Sequence, residues 1–413
     1  MQETVRAERL VAGGAALARL ADGRVVFVPG LLPGETALVR LVDERRDFAR
    51  AVVERIDERS PDRVDPPCEA LARGCGGCDW QHLSADAQRT WKTEIVRDAL
   101  RRTARLPDAQ VRWGGSVNPW GYRTTLRVAA GDDGVLGLRA EASNRVVPVS
   151  HCAVAVDALD PLLQSVRLRR GEAPRSGARA RGQRPRRVER DELTLRVSTT
   201  SGQATIAAPP PVLDRVVGVP AHVAVGDETR LSQRVGTTDL AVSAASFFQS
   251  GPEAAELLVA TVRSALDASG LGSTRPGVLV DAYGGVGLFA ATLGWSHTIV
   301  IEASRSACDD ARQTLGAAAT VVCSTFEAWD SSTAPDEIGA VIADPARVGL
   351  GAAGVAAVAN TGSGVVVLVS CDPVAMARDV AGLVAAGFVH REAVVLDLFP
   401  QTHHVEVVTL LER

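Results

Sequence analysis

The sequence predicts an α/β protein in three parts: a small β-barrel, a central α+β region, and a doubly wound parallel sheet in the last third. Three observations lead there. From Val278 onward, short continuous apolar runs alternate with helical patterns, as strands buried on both faces of a parallel sheet do. At the other end, residues 5–57 alternate apolar and polar in short, evenly spaced runs punctuated by Gly and Pro, the pattern of a small closed sheet. Between them, one helical segment precedes runs that read as antiparallel strands. The expected boundaries are 1–60, 61–240 and 241–413.

In the first part, strands are expected at 17–20, 24–28, 35–42 and 51–56, with turns at Gly13-Gly14, Asp22-Gly23 and residues 29–34. Residues 85–105 set Leu, Ile, Val and Trp91 among Lys, Arg and Glu at helical spacing. They predict one amphipathic helix, expected to pack on the C-terminal part. Residues 121–150 and 192–208 predict antiparallel strands. The stretch 167–190 is crowded with Arg, Gly and Pro and has no aromatic residue. As a loop it could touch phosphates, which suit the planar guanidinium; the other reading is a solvated insertion. Parallel strands are expected at 278–281, 298–302, 341–344 and 365–370, and an antiparallel pair, 393–399 with 405–411, is expected to close the sheet at its edge.

Composition narrows the function. A chain of 413 residues, 46% apolar and 23% charged, has the make-up of a soluble globular protein of two or three domains. No apolar run approaches the ~18 residues that cross a bilayer, and the first residues lack an apolar signal core, so a cytoplasmic protein without membrane contact is expected. The net charge of −4 argues against wholesale coating of a nucleic acid, so any such contact is expected to be local. Seven cysteines do not make an even disulfide framework, and in a reducing compartment they are ligands, nucleophiles or core filler.

Cys68, Cys75 and Cys78 lie within eleven residues, the last two as Cys-Gly-Gly-Cys, and Cys152 could supply a fourth thiolate. Four thiolates hold either a tetrahedral zinc or a 4Fe-4S cluster. Zinc ribbons usually bring two Cys-x-x-Cys knuckles, and the single knuckle here favours iron–sulfur. A Cys75–Cys78 disulfide is a third reading, without the βαβ setting such redox pairs have.

Five segments in the last third carry the chemistry. They are Ser246-Phe-Phe-Gln249, Asp281-Ala-Tyr-Gly-Gly-Val-Gly287, Asp344-Pro-Ala-Arg347, Ser370-Cys371-Asp-Pro373 and Phe399-Pro-Gln-Thr-His-His-Val-Glu406. The glycine-rich turn ends an apolar strand and opens a helix, the crevice where open α/β sheets bind ligands. Glu302 ends the next strand, where a carboxylate can grip a ribose. Dinucleotide binding is the rival to S-adenosylmethionine, although the glycine spacing departs from Gly-x-Gly-x-x-Gly. Cys371 follows a strand directly, at the lip of that crevice. Thiolate addition at C6 of a uracil makes C5 carbanion-like, and even an ordinary thiol is a few per cent ionised at neutral pH. A base must then remove the C5 proton. Glu406 is the candidate, with His403 and His404 as competitors, and Asp344 is placed to orient the uracil or its enolate by hydrogen bonding. Cys308 and Cys323 lack such a setting and read as core thiols.

These residues resemble the family of S-adenosylmethionine-dependent RNA 5-methyluridine methyltransferases, over nearly the whole chain. The N-terminal part resembles a TRAM domain in Gly13-Gly-Ala-Ala-Leu-Ala-Arg19, Asp22-Gly-Arg-Val-Val-Phe-Val-Pro-Gly30 and Pro33-Gly-Glu35. Cys75-Gly-Gly-Cys-Asp-Trp-Gln-His82 resembles the family's cluster segment, and Tyr122-Arg123 a motif of its central domain. The resemblance implies a class I (Rossmann-like) methyltransferase domain behind a TRAM/OB-like barrel and a central iron–sulfur domain. It implies cluster ligands Cys68, Cys75, Cys78 and Cys152, and cofactor contacts at Gln249, Tyr283, Glu302 and Asp344 beside Gly285 and Gly287. It makes Cys371 the nucleophile and Glu406 the base. The expected partner is RNA, 23S ribosomal RNA before transfer RNA at uridine 54, and a monomer is expected. Three departures stand out. Ala346 replaces a Pro that would fix φ, Gly284 replaces a common Cys, and Leu288 can meet the cofactor only through its backbone. A catalytically degenerate iron–sulfur RNA-binding protein and a DNA pyrimidine methyltransferase are the competing readings. The intact Cys371, Glu406 and Asp344 argue against the first, the TRAM-like barrel against the second.

Overall fold

Short, mostly apolar runs rich in Val and Ile make the sheet that carries the site. In the computed structural model, which describes residues 1–169, 191–271 and 276–413, Ala319–Cys323, Thr298–Glu302, Val278–Ala282, Ile338–Ala343 and Val365–Ser370 lie side by side and all parallel. Beyond Val365–Ser370 come Glu406–Glu412, Val389–Asp397 and Val111–Ser116. Glu406–Glu412 is antiparallel to both of its neighbours, and Val111–Ser116 is parallel to Val389–Asp397. One strand of the eight therefore opposes the rest, and it begins where the others end. The C-terminal antiparallel pair, expected at the edge, is internal. The edge is Val111–Ser116, whose Gly114 has no room for a Cβ, which would lie 2.4 Å from Val394 Cγ1.

By spatial compactness the chain forms two units: residues 1–67, 78–119 and 253–413, and residues 68–77 with 120–252. Residues 78–119, from the expected central region, thus belong to the unit that holds the eight-stranded sheet. In that unit Gln2–Leu10, Ala16–Arg19, Val25–Val28, Phe48–Glu58 and Thr36–Glu44 close a barrel in this spatial order. Its core runs on through Trp80 and Leu83 to Ala87 and Ile95 of the helix Ala85–Arg102. Another face of that helix, Val96, Ala99 and Leu100, joins the core of the large sheet. Ser84 caps the helix by accepting from Ala87 N–H, as N-cap serines do.

Within the barrel Glu35 is fully buried and fully satisfied. It accepts from Leu32 N–H (2.8 Å), Ser60 N–H (3.1 Å) and both Nε and Nη2 of Arg63 (2.6 and 2.7 Å).

The second unit holds a six-stranded sheet in the order Val223–Val225, Ala204–Ala207, Glu192–Val197, Thr125–Ala130, Leu136–Arg139, Val146–Pro148. A hairpin, Arg230–Val235 with Thr238–Ser243, completes it. Of the Arg-rich stretch 167–190, residues 170–190 lie outside the described residues. Among the described residues no helix is long and apolar enough to cross a membrane.

Candidate active site

The glycine-rich turn follows Val278–Ala282. Gly285 (φ +54°) and Gly287 (φ +81°) adopt left-handed backbone that costs glycine nothing. Tyr283 takes φ +57° with a side chain, a conformation that costs on the order of 1 kcal/mol or more and clusters at functional sites. Gly284 presses on the next strand: a Cβ there would sit 2.7 Å from Val300 Cγ1 and 2.9 Å from Asp281 O. The Glu302 carboxylate closes the turn, taking Gly285 N–H at Oε2 (3.0 Å) and Ser304 N–H at Oε1 (2.6 Å). Tyr283, Gly285, Gly287 and Glu302 therefore meet at the carboxyl ends of two adjacent parallel strands. The Tyr283 ring packs edge-on to Phe326 at 5.7 Å, and its hydroxyl donates to Glu327. Burial, and then Glu327, hold the phenol well above its ordinary pKa.

Cys371 and Glu406 come together through strand register. The last pair between their strands is Ser370 with Val407. One step further sets Cys371 opposite Glu406, and opposed residues of an antiparallel pair share a face with Cβ atoms about 5 Å apart. Asp344 stands one residue beyond the parallel pair Ala343–Leu368, at the same end of the sheet. Glu406 is 4% exposed. Burial, then Asp344, push its carboxyl well above the usual range, and only Arg347 opposes. Burial also takes Asp344 up to about 7. Cys371 rises to about 11, through burial first and Glu406 next, again against Arg347. The sequence led us to expect an ordinary thiol; burial beside carboxylates makes this one harder to ionise.

Asp281 extends the cluster. It is fully buried, its Oδ2 accepts Ala290 N–H at 3.1 Å, and its Oδ1 has no partner. Burial raises its pKa to about 8, and Asp344 and Glu302 add to the rise. Four carboxyl groups, Asp281, Glu302, Asp344 and Glu406, thus crowd one end of the sheet, with the Arg347 guanidinium acting on the reactive pair. Such a site favours a cationic ligand, and a sulfonium is one.

Two contributors lay outside the sequence assignments. Arg347 sat in a quoted motif without a role. Its Nη2 is 3.3 Å from His404 Nε2. Asp379, on the helix Pro373–Ala385, holds the loop after Arg347 by accepting from Leu350 N–H (2.7 Å) and Gly351 N–H (3.1 Å); no local pattern announces it. Of the competing bases, His403 is engaged by Asp79 (Nδ1 to Oδ2, 2.5 Å). Gln249 is buried in the second unit. Cys308 is buried as expected, whereas Cys323, at the end of its strand, is exposed.

None of the seven cysteines forms a disulfide. Cys68, Cys75 and Cys152 belong to the second unit and Cys78 to the first. Cys75, Cys78 and Cys152 are each 8% exposed. The Cys75 thiol is pushed up by burial and further by Cys68, and that of Cys152 by burial and further by Cys75. Cys75 therefore lies within electrostatic reach of both Cys68 and Cys152, and thiols whose protons are costly to lose give them up most readily to a metal ion.

Residues 4–53 match the TRAM domain, and residues 333–413 match the family described as tRNA (Uracil-5-)-methyltransferase. An uncharacterized RNA methyltransferase of Streptomyces coelicolor is 32% identical, over 97% of this chain and 90% of its own. The 23S rRNA (uracil(1939)-C(5))-methyltransferase RlmD of Halomonas elongata is 31% identical, over 97% and 87%. Among solved structures, the tRNA (uracil-54, C5)-methyltransferase of Pyrococcus abyssi, in complex with S-adenosyl-L-homocysteine, superposes with a TM-score of 0.69. It is 22% identical and covers 98% of this chain and 99% of its own, a likeness of fold. With the barrel, the sheet and the relatives in agreement, the chain belongs to the TRAM-domain family of S-adenosylmethionine-dependent RNA (uracil-C5)-methyltransferases.

Proposed function

We propose that this enzyme methylates C5 of one uridine in large-subunit ribosomal RNA through a covalent adduct, with Cys371 as nucleophile and Glu406 as base. The observation that supports this reading is the register that sets Cys371 opposite Glu406 at the carboxyl end of the parallel strands, with Asp344 and Arg347 acting on both.

Cys371 Sγ bonds to C6 of the uracil, and the ring electrons move to O4 and C5. S-adenosylmethionine, when bound, supplies an electrophilic methyl group and a sulfonium charge. Tyr283, Gly285, Gly287, Glu302, Asp344 and Gln249 are its proposed contacts. Glu406 then takes the C5 proton, and the Sγ–C6 bond breaks to return the Cys371 thiolate. A raised carboxyl pKa suits this task, because the ionised form is a stronger base. Arg347 already offsets part of the rise in the Cys371 thiol, and a bound sulfonium would add further positive charge that favours the thiolate.

Large-subunit RNA is preferred because the Halomonas elongata relative, at 31% identity, carries that target in its name, whereas the tRNA enzyme is alike in fold. Mapping 5-methyluridine in total RNA of a strain lacking the gene tests it: a missing site in transfer RNA overturns the target. For the mechanism, Glu406→Gln should still add the thiol and transfer the methyl group, then stall. A denaturant-resistant, methyl-labelled protein–RNA complex should accumulate, and free turnover by this variant removes Glu406 from the role.

Cys68, Cys75, Cys78 and Cys152 are proposed to hold a 4Fe-4S cluster, which would brace the chain around them. Anaerobically purified protein should be brown with about four irons per chain, and Cys75→Ser should lose the colour. A colourless protein with one tight zinc overturns this.

A further inference from the structure

The loop that leads into Glu406 is held by residues 79–92 and by Asp397 at its own start. Three alternate backbone N–H groups of the loop are taken in turn: Phe399 by Asp397 Oδ1 (3.1 Å), Gln401 by Gln88 Oε1 (3.0 Å) and His403 by Asp79 Oδ1 (3.0 Å). Trp80 N–H donates to Gln401 O (3.0 Å). Gln88 Nε2 also donates to Gln401 Oε1 (3.1 Å). These side chains do for the loop what a neighbouring strand does for a strand.

The centre of this clamp is a buried charge. Lys92 is 0% exposed. Its Nζ donates to Asp397 Oδ1 (2.6 Å) and to Phe399 O (3.3 Å), and lies 6.0 Å from the centre of the Trp80 ring. Gln88 and Lys92, four residues apart, share one face of their helix. An apolar side chain would pack here without desolvating an ammonium, and buried pairs of this kind often add little to stability. What Lys92 adds over an apolar residue is direction: it joins the last residue of Val389–Asp397 to the carbonyl of Phe399 at the mouth of the loop.

We infer that Lys92 and Gln88 are positioning residues for proton removal, clamping residues 397–404 so that Glu406 enters its strand opposite Cys371. Glu406 is the first residue of its strand. Its backbone pairs with Leu396 on one side, but toward the strand of Cys371 the ladder stops at Ser370–Val407, and the chain entering Glu406 comes from this loop. The same loop carries His404, 3.3 Å from Arg347, so the clamp also sets the cation that acts on the reactive pair. This inference rests on Glu406 as the base.

The test uses full-length enzyme, S-adenosylmethionine with a labelled methyl group, and unmodified total RNA from a strain lacking the gene. Four proteins are compared: wild type, Lys92→Met, Lys92→Met/Asp397→Leu, and Glu406→Gln. Lys92→Met strands the Asp397 carboxylate and should melt lower. The double variant loses both charges, though also the acceptor for Phe399 N–H, and should melt above Lys92→Met. Both should nonetheless turn over roughly tenfold slower or worse and accumulate the methyl-labelled protein–RNA adduct. A double variant with wild-type turnover makes the pair a packing element and overturns the inference. Should that variant fail to fold, Gln88→Ala decides: it must accumulate adduct, and wild-type elimination in it overturns the inference equally. If Glu406→Gln forms no adduct, the base assignment has failed and the clamp's role fails with it. Adduct in Glu406→Gln but in none of the clamp variants places the failure in the clamp alone.

Discussion

Glu35 in the barrel and Glu406 in the sheet are both buried glutamates, and their surroundings treat them in opposite ways. Glu35 loses its hydration to burial but receives two backbone N–H groups and a two-pronged Arg63, and the net result holds its carboxyl below the usual range. Glu406 loses its hydration too and gains a second carboxylate, Asp344, for company. A satisfied buried charge is a structural part, and removing it harms folding. A buried charge left against its own kind stores free energy that a reaction can draw on.

The largest effect that would break this contrast lies at Cys371. Cys371→Ala should abolish methylation while leaving S-adenosylmethionine binding within about tenfold, or about 1.4 kcal/mol, of wild type; residual turnover would mean the carboxylates serve another nucleophile. Glu35→Gln comes next. It leaves the Arg63 charge unbalanced beside a buried amide, and should cost about 3–5 kcal/mol of stability while the folded fraction turns over normally. Glu406→Gln, the mirror case, should melt no lower than wild type. The finest test is the pH dependence of unfolding, where the two kinds of carboxyl have opposite signs. Glu35, with a depressed pKa, contributes stability above its unfolded pKa of about 4.3, and this is lost as pH falls through its folded value. Asp344 keeps its proton in the folded state between 3.8 and about 7, so its burden grows as pH rises across that window. Asp344→Asn should therefore gain on wild type as pH climbs from 4 to 7, and Glu35→Gln should lose on it as pH climbs through the window below about 4.3. Slopes equal to wild type in denaturant melts across these two windows would erase the distinction.

Some of this was legible in the sequence, for physical reasons. Thr298–Glu302 and Val365–Ser370 were predicted to the residue, because strands buried on both faces are apolar throughout and stop where the chemistry starts. Cys371 and Glu406 could be singled out because each sits at the start or end of such a run and because the segments around them resemble the family's. Val111–Ser116 was missed because Gly114-Gly115 interrupts any alternation; it is a strand only because Val389–Asp397 lies beside it. Lys92 read as part of a helix's wet face, since nothing near it in the sequence reveals Asp397, 305 residues on. The crowding that lifts Asp281, Asp344, Glu406 and Cys371 was equally hidden. Each pKa depends on neighbours from separate strands, which only the sheet order brings together.

That sheet order also sets a schedule for synthesis. Domains commonly fold as they leave the ribosome, N-terminal ones first. Here the edge strand Val111–Ser116 and the helix Ala85–Arg102 have their partners in Val389–Asp397 and the loop after it, with Arg112 and Glu392, 280 positions apart, ion-paired. The barrel can close early, but the segment that follows it must wait for nearly the whole chain. Glu406 and the loop before it take their places in the same late event. A nascent chain can hold a finished barrel while the end of the sheet that carries Cys371 and Glu406 is still unbuilt.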